Sequence, residues 1–195
     1  TEEIAKFKKR KNLNDHKKYI LYLGGIDPRK NWEGLLGIIK GLKEKQEKDS
    51  PVLLMSGKIE DDRQYPKLLN KIKEYNIEDN VELLGFTQEE DLPALFGVSS
   101  LFIFPTFYEG FGLPPLEAMA AGVPVLSSNL SCLPEVLGDA AEFFSPDNIN
   151  EGVKKVEEIL KNINYSKELT EKGFDRAREF TWEKTAKKTL EGYRR

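Results

Sequence analysis

Six short apolar runs alternate along the chain with longer segments of helical periodicity. The runs cover residues 19–23, 52–56, 81–84, 101–104, 123–127 and 141–144, and most are too uniformly apolar to have one solvated face. Helical patterns occupy residues 31–46, 62–75, 89–98 and 113–121 between them. This alternation predicts an α/β fold, a Rossmann-like, doubly wound parallel sheet that is covered on both faces.

After residue 144 the apolar runs stop, and the remaining chain is helical and charged, with breaks near 162–165 and 181–182. We therefore predict one domain at 19–180 with C-terminal covering helices, an N-terminal segment or interdomain linker at 1–18, and a tail helix at 181–195. A chain of 195 residues with 39% hydrophobic content is sufficient for one such domain. The absence of an initiating methionine and the late first strand are typical of a segment excised from a longer protein.

Composition and charge argue against several classes of partner. A net charge of −3 gives no global field that would recruit nucleic acid. Cys132 and His16 are single, and neither CxxC nor HExxH spacing occurs, so we expect no disulfide framework and no transition-metal site. No apolar stretch approaches the ~20 residues that span a bilayer, which favours a soluble protein. The single cysteine favours a cytoplasmic one. The basic cluster at 6–11 leaves open a peripheral contact with anionic lipid, although neighbouring acidic residues favour a solvated linker.

Small or polar residues follow four of the predicted strands. They are Gly24-Gly25, Ser56-Gly57-Lys58, Gly85-Phe86-Thr87 and the segment 105–109. Ligands of open parallel sheets bind beyond the carboxyl ends of the strands. Ordinary βα turns would explain some of these four strand ends but not all of them, so we predict a ligand lying across this edge.

The run EGFGLPPLE, residues 109–117, places a carboxylate, a glycine turn and a helix start within nine residues. The triplet LPP predicts the helix start, because proline is tolerated in a first turn. Gly110 and Gly112 then lie between strand and helix, where glycine permits positive φ and close approach of a ligand. The N–H groups of the first turn and the positive end of the helix dipole favour an anion. The run therefore predicts a phosphate site between Glu109 and Glu117.

Several motifs together resemble the retaining glycosyltransferases of the GT-B fold, specifically family 4. The resemblance rests on YLGGIDPRKN, LLGFTQEEDLPALF, FPTFYEGFGLPPLEAMAAGVPVLSSNLSCLPEVLGDAAEFF and FTWEKTA, in that order, and it covers most of the chain. It implies the donor-binding C-terminal half of such an enzyme, with a hexose donor activated by UDP, GDP or ADP and no metal or other cofactor. It also implies a missing N-terminal domain that binds a glycan or lipid-linked acceptor.

The resemblance assigns roles to the two glutamates of this run. Glu109 is expected to contact hydroxyl groups of the donor sugar. Glu117 is expected to accept hydrogen bonds from the vicinal hydroxyls of the ribose, for which an ionised carboxylate is a strong acceptor. A glycosidase pair fits poorly, because its two carboxyl groups must flank one scissile bond.

Two cations follow the first predicted strand. Arg29 and Lys30 precede Asn31, a predicted N-cap of the next helix. They are expected to neutralise the charge that develops on a departing diphosphate. Lys30 matches a lysine of the family, whereas Gly25 replaces an arginine of the family, for which Arg29 is the expected substitute. The predicted catalytic set is therefore Glu109, Lys30 and Arg29.

The resemblance places the base beside the third strand end, where the ring of Phe86 would supply an apolar wall. Core packing is an equally good account of that ring. The complete predicted donor site consists of Gly24, Gly25, Arg29, Lys30, Gly57, Lys58, Phe86, Glu109, Gly110, Phe111, Gly112, Leu113 and Glu117.

Two alternatives to a transferase domain stay open. One is a non-catalytic nucleotide-binding or regulatory module of the same fold. The other is a different GT-B enzyme, such as a sugar-nucleotide epimerase or a phosphorylase, against which the EGFGLPPLE pattern argues only through the resemblance. The identities of the base, the sugar and the acceptor do not follow from these residues.

Overall fold

A computed structural model describes residues 2–46 and 49–194, except for the side chain of Gln46. Thr1 and Arg195, which end the first and the last predicted segments, lie outside these ranges. One parallel sheet contains the strands β1 (Tyr19–Leu23), β2 (Val52–Ser56), β3 (Val81–Gly85), β4 (Leu101–Phe104), β5 (Val125–Ser128) and β6 (Glu142–Phe144). Their spatial order is β3-β2-β1-β4-β5-β6. The prediction of a doubly wound parallel sheet is confirmed.

The helices follow the strands in the expected alternation. In chain order they are α1 (Glu2–Arg10), α2 (Trp32–Gln46), α3 (Tyr65–Glu74), α4 (Leu92–Val98), α5 (Leu113–Ala120), α6 (Leu133–Leu137), α7 (Ile149–Lys161), α8 (Ile163–Arg178) and α9 (Trp182–Tyr193). Helices α2, α3 and α7 cover one face of the sheet, and α1, α4, α5 and α6 cover the other. The sheet is therefore buried on both sides.

Strand β1 shows how the sequence divides its side chains between the two cores. Ile20 and Tyr22 belong to the cluster with α2 and α7, whereas Tyr19 and Leu21 belong to the cluster with α4 and α5. All four are almost completely buried. Successive strand residues point to opposite faces, so a uniformly apolar run serves two cores at once.

The fifth strand begins at Val125 rather than at residue 123, because Val123 completes the end of α5. Its backbone N–H donates to Ala118 O at 2.9 Å, and Gly122 adopts a left-handed φ of 77°. This is a glycine C′ ending of the helix.

Two helices were not predicted. Helix α1 has few apolar residues among its charged ones, yet Phe7 is buried and the helix packs on α4. Helix α6 spans only Leu133–Leu137, which is too short for a periodic pattern. Both depend on tertiary packing rather than on a sequence signal of their own.

The C-terminal helices begin where the breaks were predicted. Asn162 caps α8 by accepting a hydrogen bond from the Tyr165 N–H at 3.1 Å, and Thr181 caps α9 by accepting one from the Lys184 N–H at 3.2 Å. Helix α8 lies against α5, with Gly173 close to Met119, whereas α9 has no buried residue. None of the helices in residues 2–46 and 49–194 combines the length and the apolar character that a bilayer span requires.

Candidate functional site

The loops after β1 and β4 meet at the carboxyl edge of the sheet, and the junction between these two loops is called the crevice below. The chain runs from β1 outward to β3 and then returns to the other side of β1, so this is the topological switch point of the sheet. The Phe107 N–H donates to Arg29 O at 2.8 Å, and Arg29 Nη1 donates to Tyr108 O at 3.4 Å. These bonds hold the two loops together at the position where such sheets bind ligands.

Lys30 and Glu109 form the central ion pair of this crevice. Lys30 Nζ lies 2.5 Å from Glu109 Oε1, and the two side chains are only 14% and 12% exposed. Arg29 Nη1 lies 3.6 Å from the same oxygen and is half exposed. Partial burial strengthens these interactions, because less water screens the charges. The predicted catalytic residues are thus brought together as two cations around one carboxylate. Asp27 Oδ1 lies 3.6 Å from Arg29 Nε, so a second carboxylate balances the charge of Arg29.

A buried threonine that the sequence did not single out supports this pair. The Thr106 hydroxyl lies 2.9 Å from Arg29 O and 3.3 Å from Glu109 Oε1, and Thr106 is 1% exposed. From β5, the Ser128 hydroxyl donates to Thr106 O at 2.6 Å. No sequence motif marks Thr106 as part of the site, because its contacts are made to the loop after β1.

Asn31 links three loops at the carboxyl edge. Its Oδ1 accepts from the Gly34 N–H at 3.2 Å, which confirms the predicted N-cap. Its Nδ2 also donates to Pro105 O at 3.1 Å and to Pro146 O at 2.9 Å, contacts that the sequence did not predict. A left-handed φ of 53° directs this side chain inward immediately after Lys30.

The two glycines of the EGFGLPPLE run differ in conformation. Gly112 has a φ of 88° at the N-cap of α5, and a methyl group there would lie 2.7 Å from Leu133 Cδ2. Gly110 is not among the residues with positive φ, and the space around a Cβ there is open. The expectation of positive φ is confirmed for Gly112 and was wrong for Gly110, whose backbone is already unstrained.

The start of α5 offers fewer amide donors than its position suggested. Pro114 and Pro115 lie in its first turn and have no N–H group. Gly112 and Leu113 retain theirs, and neither donates to another part of the described chain. An anion at this helix end would therefore meet two amides and the helix dipole.

Glu117 lies on the exposed side of α5, and neighbouring protein still displaces part of its water. Burial raises the pKa of its carboxyl group above the ordinary value, and no neighbouring charge contributes to that change. Because the folded-state pKa is raised, the associated stability is present at pH values below the ordinary pKa and is lost as the pH rises through the folded value. Within the described chain, the Glu117 carboxyl group has no hydrogen-bond or ion-pair partner.

The ends of β1, β2 and β3 lie side by side. The Gly24 N–H donates to Ser56 O at 2.9 Å, and the Gly57 N–H donates to Gly85 O at 3.0 Å. Beneath the Gly24-Gly25 turn, the Tyr22 hydroxyl donates to Gly25 O at 2.6 Å; burial, and after it the charge of Glu109, raises the pKa of Tyr22. The predicted gathering of small residues at this edge is confirmed.

Lys58 and Phe86 form a pair of their own. Lys58 Nζ lies 5.2 Å from the centre of the Phe86 ring, and that ring is 55% exposed. The core-packing account of Phe86 is therefore wrong, because its neighbours do not cover it. No hydrogen bond or ion pair within the described residues connects these two side chains to Lys30 or Glu109.

Phe111 packs against the C-terminal part of the chain. Its ring packs edge-to-face on Phe180 at 5.8 Å, and it lines a separate groove of about 400 Å³ with residues of α8 and α9.

Cys132 contacts the backbone of the site, with its Sγ 3.3 Å from Glu109 O. Among the residues that the structure describes, no group of three or more His, Cys, Asp or Glu side chains is arranged to hold a metal ion.

The sheet order defines a Rossmann-like α/β domain, and domains of this kind bind their ligands at the switch point. Sucrose-phosphate synthase from Thermosynechococcus elongatus has a similar structure, with a TM-score of 0.84 and 26% identity over 97% of this chain and 48% of that one. HepE from Anabaena in complex with UDP-glucose gives a TM-score of 0.79 at 18% identity over 91% of this chain and 48% of its own. The fold matches GT-B glycosyltransferase structures, as predicted.

Sequence comparison identifies the family. The profile of glycosyl transferases group 1 matches residues 3–176. O-antigen chain mannosyltransferase B of Escherichia coli is 36% identical over 177 residues, which are 90% of this chain and 45% of the relative. The chain belongs to the glycosyl transferases group 1 family, and it spans less than half the length of this relative.

Proposed function

We propose that this chain is the donor-binding domain of a retaining glycosyltransferase of family 4. The enzyme would transfer a hexose from a nucleoside diphosphate to a glycan or lipid-linked acceptor, without a metal ion. The observation that supports this most directly is the shielded Lys30–Glu109 pair at the switch point, next to Gly110, where an added Cβ would meet no protein atom within 4 Å. It combines a carboxylate for sugar hydroxyls with cations for a diphosphate.

The cations fit the charge that develops during transfer. When the bond between the anomeric carbon and the diphosphate oxygen breaks, its electron pair stays on the β-phosphate oxygen. Lys30, Arg29 and the amides of Gly112 and Leu113 would stabilise that oxygen electrostatically. The acceptor hydroxyl attacks from the same face, and its proton passes to the leaving phosphate oxygen, so the anomeric configuration is retained.

The two glutamates fit two ends of the same ligand. Glu109 is held close to the cations and would orient the sugar. The carboxyl group of Glu117, on the exposed side of α5, would accept hydrogen bonds from the ribose hydroxyls when it is ionised. Phe86 and Lys58 would lie at the base, where an exposed ring can stack on it.

The names of related proteins give the first donors to test. HepE was solved with UDP-glucose, and the Escherichia coli relative is a mannosyltransferase. The lengths of these proteins also support a further domain that binds the acceptor, because the chain covers less than half of each. We therefore expect this chain to bind donor and to transfer sugar slowly or not at all by itself.

Calorimetric titration of the chain with UDP, GDP and ADP, and then with their glucose and mannose conjugates, tests this proposal. One nucleotide should bind saturably. Glu117→Ala should weaken the nucleoside diphosphate and its sugar conjugate alike, by roughly tenfold or more, since hydrogen bonds to a charged group are lost. Glu109→Ala should weaken only the conjugate, because Glu109 is assigned to the sugar.

Glu171→Ala, an exposed glutamate of α8, is the control and should bind as the unmodified chain does. Failure of all three nucleotides to bind a folded chain would contradict the donor-site assignment. Equal losses from Glu109→Ala for nucleotide and conjugate would contradict the role of Glu109 and favour a nucleotide-binding module without transfer.

A further inference from the structure

The Thr106 hydroxyl lies among three acceptors in the centre of the loop contacts. Its Oγ1 is 2.9 Å from Arg29 O, 3.1 Å from Tyr108 O and 3.3 Å from Glu109 Oε1. A hydroxyl group has one proton to donate, so the three acceptors compete for a single donor. With Thr106 only 1% exposed, water has no access that would let it replace this donor.

Neither carbonyl oxygen depends on that hydroxyl for a partner. Arg29 O also accepts from the Phe107 N–H at 2.8 Å, and Tyr108 O also accepts from Arg29 Nη1 at 3.4 Å. The proton can therefore turn to Glu109 without leaving a buried carbonyl unpaired, which would cost free energy.

The contacts of Glu109 are all made to one carboxylate oxygen. Lys30 Nζ, Arg29 Nη1 and Thr106 Oγ1 all approach Oε1. Within the described part of the chain, no hydrogen bond or ion pair is directed to Oε2. This arrangement fixes the carboxylate by one oxygen and leaves the other for a ligand.

Thr106 is the most rigidly held of the three groups around Oε1. Lys30 and Arg29 have long, rotatable side chains that a bound diphosphate would attract. Thr106 is β-branched and buried, so its χ1 angle has little freedom. The Ser128 hydroxyl donates to Thr106 O at 2.6 Å and holds the backbone in place. Its hydroxyl keeps its position when the cations shift toward phosphate.

We propose that Thr106 is a positioning residue for Glu109, whose hydroxyl holds Oε1 so that Oε2 faces the donor sugar. This inference rests on the proposed function, because it requires Glu109 to contact the sugar. Thr106 acts through Glu109, so its loss affects recognition of the sugar and leaves recognition of the nucleotide intact. A purely structural threonine would affect both.

The test is Thr106→Val, which replaces the hydroxyl by a methyl group of similar size. Calorimetry gives the dissociation constants of the nucleoside diphosphate that binds the unmodified chain and of its hexose conjugate. The conjugate should bind roughly tenfold more weakly, the loss of a hydrogen bond to a charged group, and the nucleoside diphosphate should change by less than about twofold. Thr106→Ser should restore the affinity for the conjugate.

Ser50→Ala is the matched control. Ser50 is a buried hydroxyl at the amino end of β2, where it accepts from Asn80 Nδ2 at 3.1 Å, far from the crevice in the sheet. It should leave both affinities unchanged. In a Glu109→Ala background, Thr106→Val should cause no further loss of affinity for the conjugate, because the group it positions is gone.

Equal changes for the two ligands, or an unchanged affinity for the conjugate, would overturn the role of Thr106 while leaving the donor site standing. Absence of nucleotide binding to the folded, unmodified chain would overturn both proposals. If the valine side chain disturbs folding, Thr106→Ala removes the same hydroxyl and leaves its space empty. The affinities of that variant for the nucleoside diphosphate and for its hexose conjugate then test the role of Thr106.

Discussion

At the scale of single residues, two glycines of the predicted donor site have different physical roles. A methyl group on Gly57 would lie 2.1 Å from Gly24 O, so the close approach of two strand ends excludes any side chain there. A methyl group on Gly25 would meet no atom within 4 Å, and Gly25 is not among the residues with positive φ. The fold therefore requires glycine at position 57 but not at position 25.

We expect Gly57→Ala to lower the free energy of unfolding by about 1–3 kcal/mol, because backbone must move to accept the methyl group. Gly25→Ala should change it by less than about 0.5 kcal/mol and should weaken donor binding, since the methyl group enters the open crevice. Urea denaturation and nucleotide titration measure the two effects. Comparable destabilisation by both substitutions would contradict this division of roles.

At the scale of elements, the site depends on loops that one side chain joins. The Asn31 amide connects the loop after β1 to carbonyl groups in the loops after β4 and β6. Both carbonyls are buried, and water would not reach them if the amide were lost. Asn31 thereby holds the backbone of Lys30 against the loop that contains Glu109.

Asn31→Gly keeps the left-handed backbone and removes the amide. Two buried carbonyl groups would lose a donor, so we expect the free energy of unfolding to fall by about 3 kcal/mol. Asn76→Gly is the matched control, because Asn76 has a φ of 51° and an exposed side chain; its replacement should be nearly neutral. A neutral result for Asn31→Gly in thermal and urea unfolding would show that the three loops hold together without it.

At the scale of the whole molecule, the two C-terminal helices contribute unequally to the fold. Helix α8 buries Leu169 and packs Gly173 on Met119, whereas α9 has no buried residue, and Trp182 and Tyr193 on α9 are 82% and 86% exposed. The domain core therefore closes with α8.

Ending the chain at residue 181 should change the free energy of unfolding by less than about 1 kcal/mol, because no core contact is removed. Ending it at residue 162 should abolish cooperative unfolding, since α5 would lose its covering helix. Circular dichroism during heating distinguishes the two truncations. A large loss of stability from the shorter deletion would mean that α9 contributes to the core after all.

Much of this architecture followed from local sequence. All six strands lie within two residues of their predicted bounds, because uniformly apolar runs have no stable place except a sheet that is buried on both faces. The cap at Asn31 was also predicted, as were the breaks at which Asn162 and Thr181 cap α8 and α9, since capping is a local interaction. Helix α1 was missed because Phe7 gains its burial from α4, far along the chain.

The sequence by itself determined the six strands, the helices other than α1 and α6, and the small or charged residues that follow each strand, because these depend on neighbours along the chain. Only the tertiary structure decided that Lys30 meets Glu109, 79 residues away, on the single oxygen that Thr106 also contacts. It also decided that Gly112, but not Gly110, needs positive φ. The Lys30–Glu109 contact depends on the order of strands in the sheet, which brings β1 next to β4. No local sequence pattern encodes which strands are neighbours.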